Sequence, residues 1–151
     1  MMFRDNIVPM IKGKHVLITA VSVASGNTAK AAIEANPDSE LAKLVDGDLS
    51  KVNGKTAFDA MRVGCPVGTA VVEKFVEYFS TGVTNIINIF QPEKLVIGGG
   101  VSKEGQPLID LIMKYVGAER YGEGTGLPLT TICTAVLGND AGIIGAAALG
   151  I

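Results

Sequence analysis

Lys94-Leu-Val-Ile-Gly-Gly-Gly-Val-Ser102 decides how this chain is read. A β-branched run of strand length breaks into three glycines and resumes with a polar residue and a helical pattern, which is the signature of a strand turning into a helix. Gly98, Gly99 and Gly100 lack a Cβ, so the backbone there can take positive φ and approach a ligand closely. Ser102 is placed to cap a helix beginning near Lys103 or Glu104. One helix later, Ala135-Val-Leu-Gly-Asn-Asp-Ala-Gly-Ile-Ile-Gly-Ala-Ala-Ala148 repeats the order of strand, glycine, polar cap and helix. A tight strand-to-helix turn and a nucleotide contact explain the triple glycine equally well on these residues alone.

Working outward, Pro66 suits the first turn of a helix, and Val72, Phe75, Val76, Phe79, Val83, Ile86, Ile87 and Phe90 recur at helical spacing after it. Gln91-Pro92 ends this long helix, and Lys94 to Ile97 is a strand. Leu108, Leu111, Ile112 and Tyr115 mark the next helix. A loop over Gly117 to Pro128 leads to a second strand, Leu129 to Ala135, and Asn139 or Asp140 caps the last helix. Upstream, Pro37-Asp-Ser39 starts a short helix, Asp46-Gly-Asp48 turns the chain, and Thr56 caps a helix over Ala57 to Val63. The segment His15 to Ala24 is ambiguous, β-branched enough for a strand yet continuous with a helix ending at Asn36-Pro37. Asn85 and Asn88 on the long helix are candidates for hydrogen bonds across an interface.

The 151 residues suffice for one domain with a real core. Hydrophobic residues make up 48%, charged residues 19%, and the mean hydropathy is +0.38, which excludes a disordered chain and suggests an apolar face covered by a partner. Net charge is −2, with no basic excess to release counterions from a nucleic-acid backbone, so no nucleic-acid partner is expected. Cys65 and Cys133 stand far apart without Cys-x-x-Cys spacing, as free thiols of a reducing cytoplasm do. Each apolar run is interrupted well before the ~18 residues of a membrane span, so a soluble protein is expected.

Ile97-Gly-Gly-Gly-Val-Ser102, the preceding Phe90-Gln-Pro-Glu-Lys94, Ala57-Phe-Asp-Ala-Met-Arg-Val-Gly-Cys-Pro66 and Leu137-Gly-Asn-Asp-Ala-Gly-Ile-Ile-Gly-Ala-Ala147 together resemble the C-terminal half of the ROK sugar kinases and repressors. This is the glucokinase-like branch of the actin/hexokinase superfamily. The resemblance implies an α/β, ribonuclease H-like lobe, rich in helix with a small parallel sheet. It covers Val21 to Ile151, so 1–20 is read as a divergent N-terminal segment and 21–151 as the ROK-type lobe. It also makes most of Thr19 to Ala35 one helix. Only two strands are then recognisable, too few for a stable open sheet, so either the first residues improvise a strand or the exposed edge is covered by another subunit or a lost N-terminal half.

By resemblance, Gly98, Gly99 and Gly100 line the adenosine side of an ATP site, with Gly138 and Asn139 nearby, and Asp140 is a helix cap rather than a base. Other nucleotide folds fail on spacing. Gln106-Pro107 stands where a phosphate loop needs Lys and Ser or Thr, and Lys103 stands where the dinucleotide fingerprint needs its last glycine. The family's Asp-x-Gly-Gly-Thr phosphate segment and its Asn-Asp segment carrying the catalytic base have no counterpart here, so no catalytic residue is assigned. Its His and Cys zinc cluster is also missing, and a sugar-binding glutamate falls near Ile18. His15 is given no role. No zinc is predicted, whereas magnesium accompanies ATP in the full-length family.

The expectation is thus the adenosine-side, dimerising lobe of a glucokinase-like kinase, inactive alone and present as a fragment, a truncated product or one piece of a split protein. The alternatives are the sugar-sensing lobe of a ROK repressor and a stand-alone dimerisation module.

Overall fold

The structure, a computed structural model, describes residues 15–18 and 22–136. Its elements run β1 (His15–Ile18), α1 (Ser22–Ala35), α2 (Glu40–Lys43), α3 (Thr56–Arg62), α4 (Pro66–Phe90), β2 (Lys94–Ile97), α5 (Gln106–Glu119) and β3 (Thr131–Thr134), with short 3-10 turns at Leu49–Lys51 and Gly100–Glu104. The sheet has three strands in the order β1-β2-β3, all parallel. The first residues thus supply a strand, His15–Ile18, beside the two read from the sequence, one of the outcomes expected for the sheet edge. Part of the 1–20 segment joins the same sheet as the lobe, and the helix that follows starts at Ser22.

Local chemistry explains the boundaries. Ser39 caps α2, its hydroxyl accepting from the Ala42 N–H at 3.2 Å. Asp46 and Gly47 then turn the chain with positive φ. Thr56 does not cap α3 as expected. It is the first helical residue, and its hydroxyl accepts from the Asn53 N–H at 3.0 Å, closing the turn before the helix. Pro66 sits in the first turn of α4, where its missing N–H has no helical partner to lose. Cys65 is the N-cap, with its Sγ accepting from the Gly68 N–H at 3.5 Å. Gln91 ends α4 in the left-handed region, and the buried Pro92 prevents continuation.

α4 is the spine of the molecule, packed on α1, α3 and α5. Val72, Val76, Val83 and Ile87 are nearly or fully buried along it. Phe75 joins Phe58 of α3 edge to face at 6.1 Å and stacks on Phe79 at 5.7 Å. α3 and α4 approach most closely at Gly68, where an added Cβ would lie 2.5 Å from the Ala60 Cβ. α5 crosses from β2 to β3 and buries Leu108, Ile112 and Val116, while Leu95 and Ile97 bring β2 into the same core. No helix among the described residues is long and apolar enough to cross a membrane.

Candidate functional site

In a parallel sheet all carboxyl ends point the same way, and ligands of open α/β folds gather there. Ile18, Ile97 and Thr134 are paired in register at that end. The ladder continues one step further, as Ala135 N–H donates to the Ile97 carbonyl at 2.8 Å. The triple glycine therefore leaves the central strand at the sheet's carboxyl edge, and the chain after β3 leaves beside it. Gly138, Asn139, Asp140 and the expected last helix lie outside the described residues.

Of the three glycines, Gly99 has the conformation that requires glycine. Its φ of 78° and ψ of −166° fall in a region that a Cβ closes to other residues. Gly98 is buried against the sheet, whereas Gly100 is exposed and a Cβ built on it would meet nothing within 4 Å. Ser102 lies inside the 3-10 turn rather than capping a helix. Its hydroxyl donates to the Gly99 carbonyl at 2.7 Å and its N–H reaches the same oxygen at 3.2 Å. A second glycine, Gly105, with φ 64°, precedes α5, and Pro107 stands in that helix's first turn. The turn Gly100–Glu104 thus hangs between two positive-φ glycines, and Val101 packs against the core.

Electrostatics tie this turn to the helical layer. Arg62 at the end of α3 donates to Glu104 with one terminal nitrogen and to Asp59 with the other. The Glu104 side chain is only 7% exposed, against 52% for Arg62. Burial pushes the Glu104 carboxyl above its ordinary value, while the Arg62 guanidinium pulls the other way. Sequence reading passed over Arg62. The available signal was its place three residues after Asp59 on a short helix, which pairs the two but does not reveal Glu104.

At the opposite, amino end of β2 and β3, a pocket of about 30 Å³ is lined by residues including Ile87, Gln91, Arg120, Tyr121 and Thr130. That is room for a water molecule or two, too small for a nucleotide. Among the described residues no three His, Cys, Asp or Glu side chains are grouped to hold a metal ion. Glu104 and Asp59 are each paired with Arg62, and among the described residues they are not grouped with a third acidic side chain as a magnesium site would need.

The ROK family profile matches residues 23–151. The chain belongs to the ROK family. A glucokinase of Halalkalibacterium halodurans is 33% identical over 139 residues, covering 88% of this ROK chain and 40% of that protein. The crystal structure of a ROK family glucokinase from Streptomyces griseus in complex with glucose and AMPPNP superposes with a TM-score of 0.69 at 30% identity. It covers 84% of this chain and 41% of the other. A ROK family transcriptional regulator, a homologue of the E. coli MLC protein, shares the fold at a TM-score of 0.57 and 24% identity, over 74% of this chain and 27% of its own. This ROK chain therefore spans well under half the length of the proteins it matches, and its fold is that of the actin/hexokinase-type sugar kinases.

Proposed function

We propose that this chain is the adenosine-side, C-terminal lobe of a glucokinase-like ROK sugar kinase. In this reading Gly98, Gly99 and Gly100, with Gly138 and Asn139 beside them, contact the adenine and ribose of ATP. The observation that carries it is Gly99, a bare backbone element at the carboxyl end of the central strand in a conformation no side chain tolerates. The likeness to a glucokinase that binds an ATP analogue and glucose supports the ligand class. The role of the chain is to present a flat backbone surface to the base. Phosphate contacts and proton removal from the sugar hydroxyl fall to segments that these residues do not contain, so the chain alone has no turnover. Magnesium travels with the nucleotide phosphates, and no residue of this chain is assigned to it.

The same reading includes self-association. Ile89, Tyr121 and Leu127 are exposed by 69%, 66% and 52%, large apolar side chains that a second copy would cover. The repressor alternative has only the shared fold in its favour, and a net charge of −2 weighs against DNA contact by these residues.

Titration with ADP, followed by backbone amide shifts, tests the site. Shifts are expected at Gly98–Ser102, with a dissociation constant in the millimolar range, about −4 kcal/mol. Gly99→Ala is expected to abolish them. Shifts centred on 117–128 would move the site to the other end of the sheet.

A further inference from the structure

Apart from Val101 on the core and the buried Ser102, the glycine turn has little to hold it in place. Gly99 and Gly105 bracket it with positive φ, and the three hydrogen bonds of Ser102 all stay between them. Among the described residues, the Arg62–Glu104 pair is the one side-chain hydrogen bond joining Gly99–Gly105 to another element, spanning 42 residues of sequence. Arg62 is fixed in turn by Asp59 one helical turn back, and Asp59 and Lys55 are the other charges acting on Glu104. Glu104 is the buried partner of the pair.

We propose that Arg62 is a positioning residue: acting through Glu104, it clamps the turn Gly100–Glu104 to α3 and so sets where Gly99 presents its backbone. Its bearing on nucleotide rests on the reading of the glycine turn as the adenosine contact. The clamp itself does not. Arg62 needs no contact with the ligand, because the pair fixes one flank of the turn while β2 fixes the other. Protonated Glu104 still accepts a hydrogen bond from Arg62, and because burial raises its pKa the docked turn holds that proton more tightly than a released one would, so mild acid changes the charge of the pair without releasing the turn.

The test uses the full chain as wild type, Arg62→Ala and Glu104→Gln. Without nucleotide, R62A is expected to move the amide resonances of Gly98–Gly105 and to speed their hydrogen exchange about tenfold relative to α4. E104Q, whose side-chain oxygen still accepts from Arg62, is expected to keep the turn in place. In the wild type these amides should titrate at a midpoint above 4.5, the ordinary glutamate value, and in E104Q that titration should vanish. Unchanged turn amides in R62A would overturn the clamp. Should R62A fail to fold, the same midpoint in wild type and E104Q would overturn it instead. ADP titration separates the two claims. Loosened turn amides with no ADP binding anywhere would keep the clamp and remove the nucleotide reading, whereas ADP binding at Gly98–Ser102 undiminished by R62A would overturn the positioning role and keep that reading.

Discussion

Gly68 of α4 faces Ala60 of α3 so closely that a Cβ on Gly68 would stand 2.5 Å from the Ala60 Cβ and 3.1 Å from the Ala57 carbonyl oxygen. Neither neighbour is a flexible chain end that can swing away. The crossing of the two helices is therefore set by the missing side chain, and the Phe58–Phe75 contact depends on the same approach.

Gly68→Ala is expected to destabilise the fold despite replacing glycine within a helix. The gain in helix propensity is about 1 kcal/mol, and overpacking a closed contact costs about 1–3 kcal/mol. The net loss should be about 1 kcal/mol, lowering the thermal midpoint by about 2–4 °C, measurable by circular dichroism. Adding Ala60→Gly should recover part of it. A rise in the midpoint for Gly68→Ala alone would show that α3 moves aside freely.

Ser80 and Thr84 bury hydroxyl oxygens that find no hydrogen-bond partner. An unpaired buried polar group carries a desolvation cost, so apolar replacements of the same shape should not harm the fold. Thr84→Val and Ser80→Ala are each expected to leave stability unchanged or raise it by up to about 1 kcal/mol in urea titrations. A loss above about 1 kcal/mol for either would mean the hydroxyl has a partner in solution.

Asn88, which its sequence position offers to an interface, is hydrogen-bonded within the chain. Its amide nitrogen donates to the Glu119 carbonyl at 3.3 Å and its oxygen accepts from the Tyr121 N–H at 2.7 Å, tying the end of α5 to α4. Asn88→Ala is expected to cost about 1–2 kcal/mol and to speed exchange of the Tyr121 amide. An unaltered Tyr121 exchange rate would mean that α5 is held there by other contacts.

A coupled assay with ATP and glucose is expected to give the blank rate for the purified chain. Turnover that disappears when a residue of this chain is substituted would sink the proposal that it acts only as a binding lobe.

Light scattering at high micromolar concentration is expected to report a dimer or larger assembly. Burial of apolar surface favours association by ~25 cal/mol per Å², and Ile89→Lys together with Leu127→Lys should shift the population to monomer. A monomer in the wild type would leave those side chains as ordinary exposed residues.

Local signals made α4, β2 and the glycine turn readable before any coordinates. Pro66 and Gln91-Pro92 bracket α4, its apolar residues keep one period over many turns, and Lys94 to Ile97 stops at the glycines. What escaped was set by partners distant in sequence. The four residues of β1 are β-branched enough for a strand, but it is their pairing with Leu95 and its neighbours that decides against continuing the following helix. Ser102 looked like a cap because its type suits one, but Pro107 was the better marker of the start of α5. The Arg62–Glu104 contact depends on how α3 meets the glycine turn, which no spacing rule reveals.

Parallel pairing of β1 with β2 has a consequence for the order in which the chain acquires its structure. The two strands are neighbours in space but are separated by the whole stretch Ser22–Phe90, whereas α3 and α4 meet across a short turn at Cys65. Contacts between nearby segments form early, and those closing long loops wait for the intervening chain to collapse. The helical layer should therefore assemble first, with β1 docking late onto a β2 that is already supported by α5. Refolding should then show helical signal ahead of protection at the amides of Val16 to Ile18, and that edge of the sheet would be the last part of the described molecule to become permanent.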